Sequence, residues 1–431
     1  MYKRPFGRLI IILGLFGPSR AYAQVILPSV STGGITLQGC YQKARQISEN
    51  VGISAENTRL VQAQYRADLG NVFPHLDWVA SRFFQQNKSN TVPGSAAGST
   101  LLSSQPESYF QLQQPIFAGF RDWQVVGISK SQEEQARLNQ RATDLQLLSD
   151  VSAAFYLAYT LQDQLVVLQD TRKLNQDQVD QLSHWVNIGR SRPSERLSAE
   201  TQLASLDAQI EDTKRSLAEA RHLLLFLTGV PADVTLQDAP PVPSSLSMDE
   251  ALNRAGQRPD ILSTVESLHQ AELGIRYAQG GHAPTLGFLG RYYTERFGIL
   301  TDVRWDATFT LDVPIYAGGS TQALVRVARS QQIIAQLTLG RLKRDVERDV
   351  RTAYDDLAHA SSEYAAYEKA VQLAEKNYEV QKKEYRTGVI SNLDLLQLLT
   401  NMQNIRGQWL TARANAKLDD IRLHIAMGEG L

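Results

Sequence analysis

The chain has 431 residues, 43% hydrophobic and 21% charged, which is enough apolar material for a core and far from the composition of a disordered segment. A formal charge of −1 gives no electrostatic footprint for nucleic acid. The single cysteine, Cys40, excludes an intrachain disulfide framework.

Residues 1–23 combine a basic start, an apolar run from Leu9 to Phe16, and Ala21 and Ala23 around Tyr22. This reads as a cleaved secretory signal peptide. The alternative, a membrane anchor helix, is disfavoured because so short a run does not cross roughly 30 Å of hydrocarbon. Cleavage removes Lys3, Arg4, Arg8 and Arg20 and takes the formal charge from −1 to −5. After residue 24 no run of 18 apolar residues occurs, so any membrane crossing must be made by β-structure. The "LQGC" around Cys40 faintly resembles a lipidation site, but it lies more than 20 residues past the apolar run. A thiol buried in a helix is the better reading.

A first unit occupies residues 24–229: a helix over about 37–71, strands over about 76–86 and 108–117, and helices over about 119–186 and 196–228. Between the strands lies "QNKSNTVPGSAAGSTLLSSQPE", polar and rich in turn residues, as an outward-facing loop would be. The proline-rich "VPADVTLQDAPPVPSSL" at 230–246 is a linker. A second unit, 247–431, repeats the order, with helices over about 248–280, 318–386 and 392–427 and strands over about 285–296 and 304–316.

The repeat is visible residue by residue. At an offset of 199, Phe110 falls on Phe309, Leu112 on Leu311, Pro115 on Pro314, Gly119 on Gly318, Val151 on Val350 and Gly189 on Gly388. Upstream the register slips to 210 or 211, which aligns Pro74 with Pro284 and Ala44 with Ala255. Such a period is far longer than the roughly 20–50 residues of solenoid repeats.

Within the second unit Leu339, Leu342, Val346, Val350, Ala353, Leu357, Ala360, Tyr364, Tyr367, Val371, Ala374 and Tyr378 follow at alternating steps of 3 and 4, a coiled-coil seam. Leu138, Leu145, Leu148 and Phe155 give a weaker version in the first unit. Gly189 and Gly388 interrupt these helices, so each unit contains a helical hairpin. The returning helices are about half as long as their partners, and the early helices supply the missing length, so each short pair stacks end to end against one long helix.

The strand regions have a different period. In "RWDATFTLDV", Trp305, Ala307, Phe309, Leu311 and Val313 alternate with polar residues, as in a transmembrane strand with one face in lipid and one in a wet lumen. A soluble two-sided sheet would explain one such strand alone. The phrases "QPIFAGF" (114–120) and "VPIYAGG" (313–319) mark the two places where a strand ends and a long helix begins. Pro115 and Pro314 end ladder pairing, Gly119 and Gly318 allow the turn, and Phe117 and Tyr316 suit a membrane boundary.

In the order, duplication and spacing of these corners, and in "YRTGVISNLDLLQLLT" at the second hairpin turn, the chain resembles the outer-membrane efflux protein family, the TolC-like exit ducts of Gram-negative bacteria. The resemblance covers nearly all of the mature chain. It implies a mixed α and β membrane protein: a long antiparallel α-helical coiled-coil barrel continued by a transmembrane β-barrel, four strands per chain and twelve in a homotrimer. It also implies a periplasmic adaptor and an inner-membrane transporter as partners, outer-membrane lipid around the barrel, and conduction without catalysis.

Carried over position by position, the resemblance implies a periplasmic gate. Tyr385 lies where a gate tyrosine is found, Asp394 matches an acidic constriction residue, and Gln397 stands where a second aspartate is often seen. Glu195 and Ser198 hold the corresponding places in the first unit. Three copies of Asp394 would make a cation-attracting ring, although Asp394 and Glu195 also suit the N-termini of the returning helices through the dipole. Arg190, Arg192, Arg196 and Arg386 surround the turns and suit binding of a gate acid or adaptor contact, and a solvated turn equally. No metal-binding, nucleophile-elbow or phosphate-loop pattern occurs in the sequence, so no enzyme activity, metal or cofactor is expected. A periplasmic coiled-coil adaptor or structural protein is the alternative function.

Overall fold

The computed structural model describes residues 34–84, 104–241, 246–297 and 300–430. Residues 1–23, which read as a signal peptide in the sequence, and most of the polar connection that begins at Gln86 lie outside the described residues. The elements are α1 (Leu37–Ile47), α2 (Glu49–Gly70), β1 (His75–Phe84), β2 (Ser104–Ala118), α3 (Arg121–Asn187) and α4 (Pro193–Thr228), followed by α5 (Met248–Ala255), α6 (Pro259–Gly280), β3 (Thr285–Glu295), β4 (Trp305–Asp312), α7 (Ser320–Thr387) and α8 (Asn392–Ala426). The long helices α3 and α7 have 67 and 68 residues, about 100 Å each at 1.5 Å per residue.

Each early helix is broken in two, where hydrophobic spacing alone reads a single helix over 37–71 and over 248–280. Ser48 is extended (ψ 116°), and its hydroxyl accepts from the Val51 amide at 3.4 Å, so it ends α1 and caps α2. In the second unit Gly256 caps α5, and Pro259 opens α6 with Arg258 held extended before it. Periodicity misses both breaks because the apolar face continues across them.

The four strands form one antiparallel sheet in the order β1-β2-β3-β4. The central pair, β2 with β3, joins the two units, which leaves β1 and β4 as the edge strands among the described residues. The two corner prolines behave differently. Pro115 does not end β2, which runs on to Ala118; Pro115 faces Gly287, and a register shift at Pro115/Phe117 absorbs the missing donor. In the second unit β4 stops at Asp312, short of the 304–316 span read from its alternation, so Pro314 and Tyr316 belong to no strand.

The seam residues from Leu339 to Tyr378 are all buried or half-buried along α7; the first of them pack with Ala251 and Ala255 of α5, Ile261 of α6 and Leu423 of α8. The largest core lies midway along the bundle, around Phe155, Leu148 and Val151 of α3 with Cys40, Ala44, Leu224 and Leu236. The described part of the linker is pinned there. Leu236 pairs with Ile35 in a parallel bridge, and its carbonyl and amide both bond the Gln162 side chain. The Asp238 carboxylate accepts from Tyr156 at 2.8 Å and faces Lys417.

Candidate functional site

The sheet has two faces of opposite chemistry. The cross-strand register aligns Trp78, Phe110, Tyr292 and Trp305 in one row spanning all four strands. Leu76 and Leu112, and then Phe288 with Phe309 and Leu286 with Leu311, extend the same face. Most of these side chains are exposed: Trp78, Trp305, Phe309 and Leu311 are each more than 60% accessible. Aromatic and aliphatic side chains so exposed would cost heavily in water, and an apolar band with aromatic girdles is what lipid requires of a strand surface.

One residue along, the opposite face carries the row Asp77, Gln111, Arg291 and Asp306. Its polar groups satisfy one another. Tyr293 donates to Asp306 at 2.9 Å, Arg296 pairs with Asp306 at 3.5 Å and stacks on Tyr293 at 4.0 Å, and Arg291 lies over Tyr109. A sheet that is apolar on one face and hydrogen-bonded on the other has the two-sided chemistry of transmembrane barrel strands.

At the corners the backbone turns through two consecutive left-handed residues, Gly119 and Phe120 in the first unit and Gly318 and Gly319 in the second. Gly119 is needed twice over. Its φ is +65°, and a Cβ there would lie 2.4 Å from the Gly280 carbonyl oxygen. Phe120 adopts φ 61° without that freedom, and its ring meets Phe117 edge-on at 5.1 Å.

The opposite ends of the helices form the two hairpin tips. Gly189 and Gly388 turn the chain with φ of +71° and +82°. The sequence-derived site residues divide there into an inner and an outer group. Tyr385 is buried with Tyr378, Leu395, Leu399 and Met402, and its ring lies 5.5 Å from Trp185 of the other hairpin. Its hydroxyl is buried beside the Gln178 side chain. Burial pushes the Tyr385 pKa up, the Gln178 amide beside it opposes this, and the nearby Glu195 carboxylate raises it further. Glu195 is half-buried and accepts from the Ser191 hydroxyl.

Asp394 and Gln397 are exposed together on one face of α8. Asp394 completes a capping box: its carboxylate accepts from the Ser391 amide at 3.0 Å and hydroxyl at 2.7 Å, and its own amide bonds the Ser391 oxygen. The Ser391 hydroxyl and then its amide hold the Asp394 pKa below the usual carboxylate value. Arg190 stacks on Trp185 at 5.0 Å, Arg196 pairs with Glu200, and Arg192 and Arg386 are exposed.

Sequence reasoning misses the link between the hairpins. Gln178 donates to the Asn392 side-chain oxygen at 2.9 Å, and Asn392 donates to the Glu195 carbonyl at 3.3 Å. Both amides are buried, Gln178 at 6% and Asn392 at 3% exposure. The available signal was an amide on the apolar face of each helix at the same height as the turns. Among the described residues no helix is long and apolar enough to cross a membrane, and no group of His, Cys, Asp and Glu is placed to hold a metal ion.

The chain matches the family model described as outer membrane efflux protein over residues 40–230 and 250–429. The probable efflux pump outer membrane protein TtgC of Pseudomonas putida is 21% identical over 420 residues, covering 91% of this chain and 83% of that protein. The outer membrane protein TolC of Escherichia coli is 23% identical over 348 residues, covering 76% of this chain and 70% of TolC. Among solved structures, the Campylobacter jejuni CmeC outer membrane channel has the same fold, with a TM-score of 0.79 at 17% identity over 91% of this chain and 85% of that one.

Proposed function

Since the chain belongs to the outer membrane efflux protein family, we propose that it is an outer-membrane exit duct that passively conducts substrates across the periplasm and outer membrane of a Gram-negative cell. It serves a tripartite efflux pump or a type I secretion system, with a periplasmic adaptor and an inner-membrane transporter as partners and the transporter as the energy source. It catalyses no reaction. The observation that carries this reading is the sheet, with aromatic rows toward lipid, a charged row opposite, and two unpaired edges. Unpaired edges are untenable in a bilayer, so further copies close the barrel; a trimer supplies twelve strands.

The hairpin tips form an iris-like periplasmic gate in this reading. Tyr385, packed on Trp185 beside Glu195, holds the two hairpins of one chain together, while Asp394 presents a carboxylate and Gln397 a neutral amide to the pore. Arg190, Arg192 and Arg386 at the turns meet the adaptor. The test is single-channel conductance of the purified mature protein in a planar bilayer, compared with Asp394→Ala. The reading expects discrete cation-preferring steps, with weaker cation preference or larger conductance in the variant. Steps unchanged by the substitution would remove Asp394 from the constriction, and repeated reconstitution without any steps would overturn the duct.

A further inference from the structure

Between the linker and the tips, α8 lies between the two long helices, with α7 on one side and α3 on the other, and α4 lies beyond α3. Part way along, α3, α7 and α8 enclose a cleft of about 530 Å³, within the roughly 300–1,000 Å³ of small-molecule sites. Both walls and the floor come from one chain, so the cleft does not depend on a neighbouring copy.

The walls are equivalent in the repeat but unlike in chemistry. The offset of 199 carries Gln164 and Leu168 of α3 onto Glu363 and Tyr367 of α7, and all four line the cleft. The α3 wall adds Val167 and is apolar but for one amide, whereas the α7 wall presents a carboxylate with a phenol ring one turn on. Glu363 is exposed. The basic residues of α8 at this height, Arg406 and Arg413, are held by Glu375 and Asp163. Gly407 opens the floor. Glycine weakens the interior of a helix such as the 35-residue α8, yet Gly407 has no positive φ, and a Cβ there would meet nothing within 4 Å. Its counterpart in the first unit is Ala208. Neither the backbone, a close neighbour nor the repeat calls for glycine, whereas a ligand that approaches the helix does.

The heptad spacing of α8 sets the direction in which the cleft opens. In the gate proposed above, Asp394 and Gln397 face the pore. Asn404 and Thr411 stand 7 and 14 residues after Gln397, and Gln408 stands 14 after Asp394, so a seven-residue repeat returns these three lining residues to the same face. Arg413, two residues past Thr411, lies on the far side of the helix. The linker is held on that far side, where Arg413 donates to the Asp238 carbonyl at 3.4 Å.

We propose that this cleft is a transit site for organic cations of drug size, with Glu363 neutralising the charge, Tyr367 offering its ring, and Val167 and Leu168 covering the apolar body. The proposal rests on the duct reading and gives that duct a cargo class and a place where the cargo pauses. Glu363 is the one charged residue among those that line the cleft, so a cation is preferred to an anion, and a cation near the Tyr367 ring gains further attraction. Binding is weak because the cleft is open along one side and holds a single carboxylate. Weak binding suits a conduit, since cargo must leave as readily as it enters. A helix of a partner protein does not fit the site, because it would have to lie within the pore.

The test uses the full mature protein and ethidium, a monovalent aromatic cation. Fluorescence anisotropy in a neutral detergent reads binding, and brief interruptions of the single-channel current in a planar bilayer read occupancy of the pore. The wild type is expected to show both. Glu363→Gln keeps the shape and removes the charge, so it should bind about tenfold less tightly. Gly407→Leu fills the open floor and should lose both effects, while Asp394→Ala, altered only at the tip, should bind ethidium in detergent as the wild type does. An anilinonaphthalene sulfonate, an aromatic anion, should bind more weakly than ethidium; binding as tight as that of ethidium overturns the cargo class. Channel steps with ethidium effects unchanged in Glu363→Gln and Gly407→Leu overturn the site and leave the duct standing. Binding that depends on Glu363 and Gly407 in a protein that gives no channel steps keeps the site and rejects the duct.

Discussion

Replacing Asn392 by leucine should loosen the hairpin tips while leaving the rest of the bundle intact. The substitution removes the acceptor of Gln178, 2.9 Å away, and the donor to the Glu195 carbonyl, 3.3 Å away. Gln178 is only 6% exposed, so water does not readily replace the lost partner. A stranded buried polar group costs about 1–3 kcal/mol, and two of them at the low end give about 2 kcal/mol, roughly a 30-fold rise in local opening. Gln178→Leu alone strands the Asn392 oxygen and should act in the same direction. The double change, Gln178→Leu with Asn392→Leu, removes both amides and leaves only the Glu195 carbonyl unpaired, so it should be less damaging than the two single effects added together. The assay is amide hydrogen exchange at the tips of the full-length protein in detergent, with single-channel conductance alongside. Single effects that add without coupling in the double variant would refute the link, because contacting residues must show an interaction energy.

Three further outcomes are expected. On the sheet, Phe309→Arg places a charge on the apolar face and should cost about 2–4 kcal/mol and most of the membrane-inserted protein, whereas Thr308→Arg, on the opposite face, should insert normally and change only conductance; equal insertion of both would undo the assignment of faces. At the second tip the pKa of Asp394 is depressed by Ser391, so its contribution is complete above the ordinary aspartate value of about 3.9 and is lost as pH falls through the lower native value. Hydrogen exchange of the α8 N-terminus should therefore rise on acidification in the wild type more than in Asp394→Asn. Burial pushes the Cys40 thiol up to about 12, with Lys43 opposing, so alkylation at pH 8 should be negligible in the folded protein and complete in denaturant. Rapid labelling of the native chain would contradict its place in the core.

Much of the fold was legible because two periods alternate along the chain. Steps of 3 and 4 name the helices and a step of 2 names the strands, and residues such as Leu339 to Tyr378 keep their period over the whole contact with their neighbours. The breaks at Ser48 and Gly256 were not legible from period, because capping is a local hydrogen-bonding event that leaves the apolar face uninterrupted. By sequence Pro115 marks a strand end, whereas a bulge in β2 accommodates it, a choice set by the partner strand and invisible in the sequence. At the tips Tyr385 and Asp394 were found through resemblance, but their separation into a buried ring and an exposed capping carboxylate depends on helix rotation. Gln178 and Asn392 escaped because a buried amide looks like a surface one until its partner, 214 residues away, is known.

The distribution of apolar burial along the bundle argues that the tips are the end that moves. Midway, α3 packs its Phe155, Leu148 and Val151 against three other helices and the linker, and the Tyr156, Asp238 and Lys417 contacts tie that region together. Toward the turns the core shrinks to two small clusters, one around Tyr385 and Leu399 and one around Leu182 and Ala199. Fewer buried apolar contacts mean a lower free energy of local opening, so opening is expected first where the helices reverse. What holds this end is directional: a Trp185–Tyr385 ring contact, one buried amide pair and a capping box. Directional contacts are made or lost within a small displacement, unlike a continuous apolar core that resists gradually. In the proposed gate, a partner that binds the exposed Arg190, Arg192 or Arg386 would need to supply only a few kcal/mol of differential affinity to shift the tips between two states.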